Sequence, residues 1–141
     1  MSHHDTESQV KLLDEWLVAE DDTIAITNKI SASTKNDTIK IFMDIIRTDS
    51  AKHKRIQEFL KAAMTVKAPS LSFGEISEIS GMINEHLALE QKTVDLGKEL
   101  EAEMKLPIIK ELFQYLLDDE EKHVRLLNSL TAFKEFAQKN T

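Results

Sequence analysis

Glutamate and histidine recur at one spacing along this chain. A shift of 70 positions carries Glu20 onto Glu90, Asp49 onto Asp119 and His53 onto His123. Carboxylate oxygens and imidazole nitrogens suit iron or manganese, and carboxylates can bridge two such ions. The chain has no cysteine, so thiolate ligands and with them a structural zinc site of the usual kind are ruled out. The chemistry these residue types offer together is the binding of a redox-active divalent ion.

The likeness runs well beyond those pairs. Residues 14–32 align without a gap with residues 84–102, sharing Glu15/Glu85, Leu17/Leu87, Glu20/Glu90, Thr23/Thr93 and Ala32/Ala102. Residues 39–62 align in the same way with residues 109–132, sharing among others Ile39/Ile109, His53/His123, Arg55/Arg125 and Leu60/Leu130. A repeat of this length is a supersecondary unit, here a helical hairpin, with an apolar face that must be buried against a copy.

The punctuation of the chain places four helices beneath these residues. The first is expected from about Glu7 to Ser33, before the polar turn at residues 34–37, with Asp37 capping a second helix that runs to about Val66. Residues 67–73, which include Pro69, read as a loop. Ser72 with Glu75 three residues on is a capping box for a third helix reaching about Met104. Pro107 then fits the first turn of a fourth helix ending near Gln138. Helices this long belong to bundles, so the fold class is all-α, a four-helix bundle of two duplicated hairpins. Residues 1–7 read as a disordered tail and residues 8–141 as a single bundle domain.

The apolar periodicity then gives the candidate ligands a direction. One stripe on helix one passes Leu13, Leu17, Glu20 and Ile24, and its copy on helix three passes Ile83, Leu87, Glu90 and Val94. On helix two the stripe is Phe42, Ile46, Asp49, His53, Ile56 and Leu60. On helix four it is Leu112, Leu116, Asp119 or Glu120, His123, Leu126 and Leu130. Glu20 and His53 are equidistant from the first turn, and Glu90 and His123 from Pro107, so each pair is level within its hairpin. Ionised carboxylates in a core cost several kcal/mol per ion unless compensated, and a bound cation compensates them. His86, four residues before Glu90, is either an i,i+4 partner of that carboxylate or a flank residue.

Composition limits the remaining possibilities. At 141 residues the chain has room for one core. A net charge of −7 without a basic patch argues against nucleic-acid binding. No apolar run reaches the roughly 20 residues of a membrane span, and no signal-peptide pattern opens the sequence, so a cytoplasmic location is expected.

With these residues in place, the chain resembles the ferritin-like superfamily, and within it the rubrerythrin branch. That family takes one Glu from each of two helices and a Glu-x-x-His from each of the other two. The resemblance implies metal ligands Glu20, Glu90, and Glu120 and His123 from Glu120-Glu121-Lys122-His123, with His53 from helix two. Helix two departs from the pattern, since Ser50 stands where a bridging carboxylate belongs. Asp49, one residue away, is the candidate replacement. A single ion on Glu90, Glu120 and His123, or a polar relic without metal, are the other outcomes. The resemblance further implies two irons per chain, with manganese as the other suitable ion, and oxidation by oxygen or hydrogen peroxide. The activity implied is that of a peroxide reductase or ferroxidase. Without cysteine there is no rubredoxin-type iron domain, so electrons would come from an external donor protein. A homodimer, domain-swapped if the loop at residues 67–73 is too short for a crossover, is the expected assembly. A metal-poor dimeric bundle acting as a stress-related binding or scaffold protein is the alternative.

Overall fold

The computed structural model describes residues 3–139, with side chains described over residues 5–133. It is all-α. The four helices are α1 (His3–Ala32), α2 (Asp37–Thr65), α3 (Phe73–Glu103) and α4 (Pro107–Lys139), and no strand occurs among the described residues. No helix among them is long and apolar enough to cross a membrane. The contacts of the chain fall into two compact units, Met1–Pro69 and Ser70–Thr141. In the first α1 packs on α2, and in the second α3 packs on α4.

The helix ends follow from local chemistry. Ser72 and Glu75 form the expected capping box: the Glu75 N–H donates to Ser72 Oγ at 3.1 Å, and the Ser72 N–H donates to the Glu75 carboxylate at 3.1 Å. Pro107 opens α4, where a missing N–H costs nothing. The cap of α2 is Asn36 rather than Asp37. Asn36 takes the extended backbone conformation, and its Oδ1 accepts from the N–H groups of Thr38 and Ile39 at 2.9 and 3.1 Å. Asp37 thus falls inside the first turn, where its charge favours the positive end of the helix. The expected tail over residues 1–7 is also shorter, because α1 already contains residues 3–7. Nothing in that stretch breaks a helix, and Asp5 complements its N-terminus. Residues 1 and 2 lie outside the described residues.

The two hairpins are lined differently. Between α3 and α4 the buried residues are apolar: Ile76, Ile83 and Leu127 cluster with half-buried Leu87 and Leu130, while Val94 and Leu117 are buried toward the turn. A fully buried Ile such as Ile76, at 1% exposure, contributes about 1.5–3 kcal/mol relative to leaving it in water. Between α1 and α2 the buried set is Leu13 with Glu20, Thr27, Ser50 and Gln57. Two ion pairs on the hairpin surface, Lys54 Nζ to Asp21 Oδ1 at 2.5 Å and Lys61 Nζ to Asp14 Oδ1 at 2.7 Å, tie its helices together, though exposed pairs add little stability.

The buried stripes on α1 and α3 run as expected through Leu13 and Glu20, and through Ile83, Glu90 and Val94. Those on α2 and α4 are rotated. The α2 stripe passes Ser50 and Gln57 instead of His53, Ile56 and Leu60, and the α4 stripe passes Leu117 and Leu127 instead of Leu116, His123 and Leu126. A two-helix contact buries a stripe narrower than the apolar face of either helix, so part of that face stays outside it. Trp16, Ile46, Ile56 and Phe59 on the first hairpin and Leu89, Leu96, Leu116 and Leu126 on the second are accordingly exposed.

Candidate metal centre

The fuller constellation lies midway along α3–α4. Glu90 projects from the buried stripe of α3, with its side chain 11% exposed. Its Oε1 lies 2.9 Å from His86 Nε2, one turn earlier on α3, and 3.3 Å from His123 Nδ1 on α4. Glu120, one turn before His123, places its Oε2 3.7 Å from the same imidazole nitrogen. Glu90, Glu120 and His123 each offer a ligand atom, and these atoms lie within 4.8 Å of one another. His123 faces the flank of the hairpin rather than its core, so the cluster is half-open to solvent.

Electrostatics sets the two carboxyls apart. The hydrogen bond from Glu120, helped by the bond to His86 and by His123, holds Glu90 below the usual carboxylate range against the opposing effect of burial. Its contact with Glu90, followed by burial, pushes Glu120 above that range. Both shifts have one physical cause: the contact between the two carboxyls makes Glu120, rather than Glu90, the favoured carrier of a shared proton. Glu90 Oε2 is buried and has no hydrogen-bond donor when both groups are ionised. The shared proton is one way to satisfy that oxygen, and a cation is the other.

The first hairpin repeats half of this arrangement. His53 Nδ1 lies 3.1 Å from Glu20 Oε2, level across α1 and α2 as Glu90 and His123 are across α3 and α4. Glu20 is buried at 8% exposure and His53 is exposed. The approach lacks hydrogen-bond alignment, so Glu20 Oε2 also remains buried without a hydrogen-bond partner. Ser50, the counterpart of Glu120, is buried at 4% exposure. Asp49 is half-buried, with Lys52 Nζ 3.4 Å from its Oδ1. Among the described residues, the ligand group of three is the one on α3–α4, and Asp49, Glu20 and His53 do not form a second.

The donor set fits a divalent ion on observations internal to the site. Oxygen and imidazole donors converge, and a buried carboxylate oxygen on each hairpin lacks a hydrogen-bond partner. His86 is the contact that sequence spacing left open. Its signal is the i,i+4 step to Glu90, and in the structure the side chain makes that hydrogen bond. Trp16, its counterpart in the repeat, is exposed and apolar. Compared with protein-family models, with curated proteins and with solved structures, the chain finds no match in any of the three.

Proposed function

We propose that this chain is a rubrerythrin-like carboxylate metalloprotein of the ferritin-like four-helix class, working as a peroxide reductase or ferroxidase in oxidative-stress defence or iron handling. The observation that supports the reading is the convergence of Glu90, Glu120 and His123 around a buried carboxylate oxygen without a hydrogen-bond partner. These three residues would hold an iron or manganese ion, with Glu20, His53 and Asp49 as the candidate ligands of the first hairpin. When bound, such ions supply one-electron redox chemistry toward oxygen or peroxide.

The chain's own residues have definable roles in this reading. Glu90 and Glu120 supply negative charge and, on losing their shared proton, ligand oxygens. His86 fixes the orientation of the Glu90 carboxylate through its hydrogen bond at Oε1. His123 presents Nδ1 to the same centre from α4. Half-buried Leu87 and buried Val94 lie one turn to either side of Glu90 along the same stripe of α3. With no cysteine in the chain, the reductant would be a separate protein.

A second reading, a metal-poor homodimeric scaffold, is favoured by the exposed apolar flanks around Trp16, Phe59, Leu116 and Leu126. Metal content separates the two. Protein purified after iron supplementation is measured by mass spectrometry beside a Glu90→Ala/His123→Ala variant. One to two ions per chain, lost in the variant, supports the metalloprotein, and no metal in either supports the scaffold.

A further inference from the structure

Resting on the metalloprotein function above, we propose that Gln57 supplies the third donor of a second cation site, in the first hairpin. There its amide oxygen joins Glu20 and His53 in place of the carboxylate absent at Ser50. Glu20 Oε2 and Gln57 Oε1 are both buried without a hydrogen-bond partner, on residues 8% and 2% exposed. Both atoms are acceptors, and an acceptor is costly to bury unpaired. A cation between them satisfies both.

The spacing of the pair already in contact suits an ion better than a hydrogen bond. His53 Nδ1 lies 3.1 Å from Glu20 Oε2, yet without hydrogen-bond alignment. Adjacent donors of an octahedral ion, each at roughly 2.1 Å from it, are about 3.0 Å apart. Gln57 stands one turn beyond His53 on α2, a separation of about 5–6 Å between Cβ atoms. Because α2 packs on α1, the buried face that holds Gln57 is turned toward the helix that carries Glu20. Long side chains on a helix lean toward its N-terminus. In an antiparallel hairpin that tendency directs Gln57 back to the level of His53, and directs Glu20 to the level of Gln57.

The repeat shows a donor exchanged rather than lost. Shifted by 70 positions, Leu13, Glu20 and His53 become Ile83, Glu90 and His123. Ser50 stands for Glu120, however, and Gln57 stands for Leu127, a member of the apolar cluster of the second hairpin. The second hairpin thus carries its further oxygen donor one turn before the imidazole, and the first carries it one turn after. Asp49 does not converge with Glu20 and His53. An amide oxygen is neutral, so this ion is held more weakly than one on Glu90, Glu120 and His123.

The test is anaerobic titration of the full chain with Mn(II), following the free ion by electron paramagnetic resonance so that weakly held metal is counted. The wild type should take two ions per chain, the second at least about tenfold weaker, and Gln57→Leu only the tighter one. Leucine is what the repeat itself places here, so this substitution suits the packing. Gln57→Glu, which adds ligand charge, should tighten the weaker ion at least about tenfold, and it keeps the test open should the leucine variant fail to fold. Glu90→Ala/His123→Ala should retain the weaker ion alone. Two ions with unchanged affinities in the Gln57 variants would overturn the second site and leave the metalloprotein function standing. So would a single ion that survives Gln57→Leu and disappears in Glu90→Ala/His123→Ala. No ion bound to the wild type at saturating Mn(II) would overturn both.

Discussion

Replacing His86 by alanine isolates the contact that orients Glu90, the carboxylate proposed to bind metal. His86 Nε2 sits 2.9 Å from Glu90 Oε1, and its side chain is 58% exposed while that of Glu90 is 11% exposed. His86 is not itself one of the three converging ligand residues. Loss of an outer contact of this kind typically weakens metal affinity about 10- to 100-fold, or about 1.4–2.7 kcal/mol. The metal-free chain should suffer much less, about 0.5–1 kcal/mol, because the imidazole is largely in water and the pair is screened. The hydrogen bond from His86 also helps to hold Glu90 low, so its removal lets that carboxyl rise toward its ordinary range. A higher Glu90 pKa means that, on acidification, metal is lost at a higher pH in the variant. The assay is anaerobic competition of Mn(II) and Fe(II) against a chromophoric chelator at several pH values, with thermal melts of the metal-free protein alongside. Trp16→Ala, at the equivalent repeat position, is the control. Affinity unchanged within twofold in His86→Ala, with the same pH of release, would refute the orienting role and weaken the case for Glu90 as a ligand.

Two further outcomes follow from the buried polar groups. In the metal-free chain the raised Glu120 contributes stability that is present below its unfolded pKa and lost as pH rises through its folded one, whereas the lowered Glu90 contributes stability above its unfolded pKa that is lost as pH falls. Glu120→Gln should therefore lessen the fall in melting temperature as pH rises above the ordinary carboxylate range, and an unaltered profile would count against the shared proton. Gln57, at 2% exposure with its Oε1 buried and unpaired, should tolerate Leu with a gain of about 1 kcal/mol in urea unfolding, whereas a loss would show that the amide has a polar partner.

Much of the helical framework was legible because its signals are local. Ser72 with Glu75 and the placement of Pro107 are decided within one turn of chain, and the structure uses both. Asn36 and Asp37 are adjacent residues of equal capping aptitude, so spacing alone does not choose between them; backbone geometry does. The phase of α2 was harder to read. Periodicity reports every apolar residue that some surface will cover, while a hairpin contact buries only the narrow line where two helices touch, and on α2 that line runs through Ser50 and Gln57. The repeat made Glu20, His53, Glu90 and His123 visible as pairs. The closeness of Glu120 to Glu90 depends on side-chain reach across α3 and α4, which no one-dimensional spacing encodes.

The two hairpins are unequally lined, which makes them unequal as folding units. The second has an apolar cluster of Ile76, Ile83 and Leu127, whose burial needs no exact hydrogen-bond geometry. The first closes on Glu20, Thr27, Ser50 and Gln57, groups whose water is released at little gain until every partner is in place. Such a hairpin opens at a low free-energy cost, and the repeat carrying the sparser ligand set is thus also the one that local unfolding would expose first.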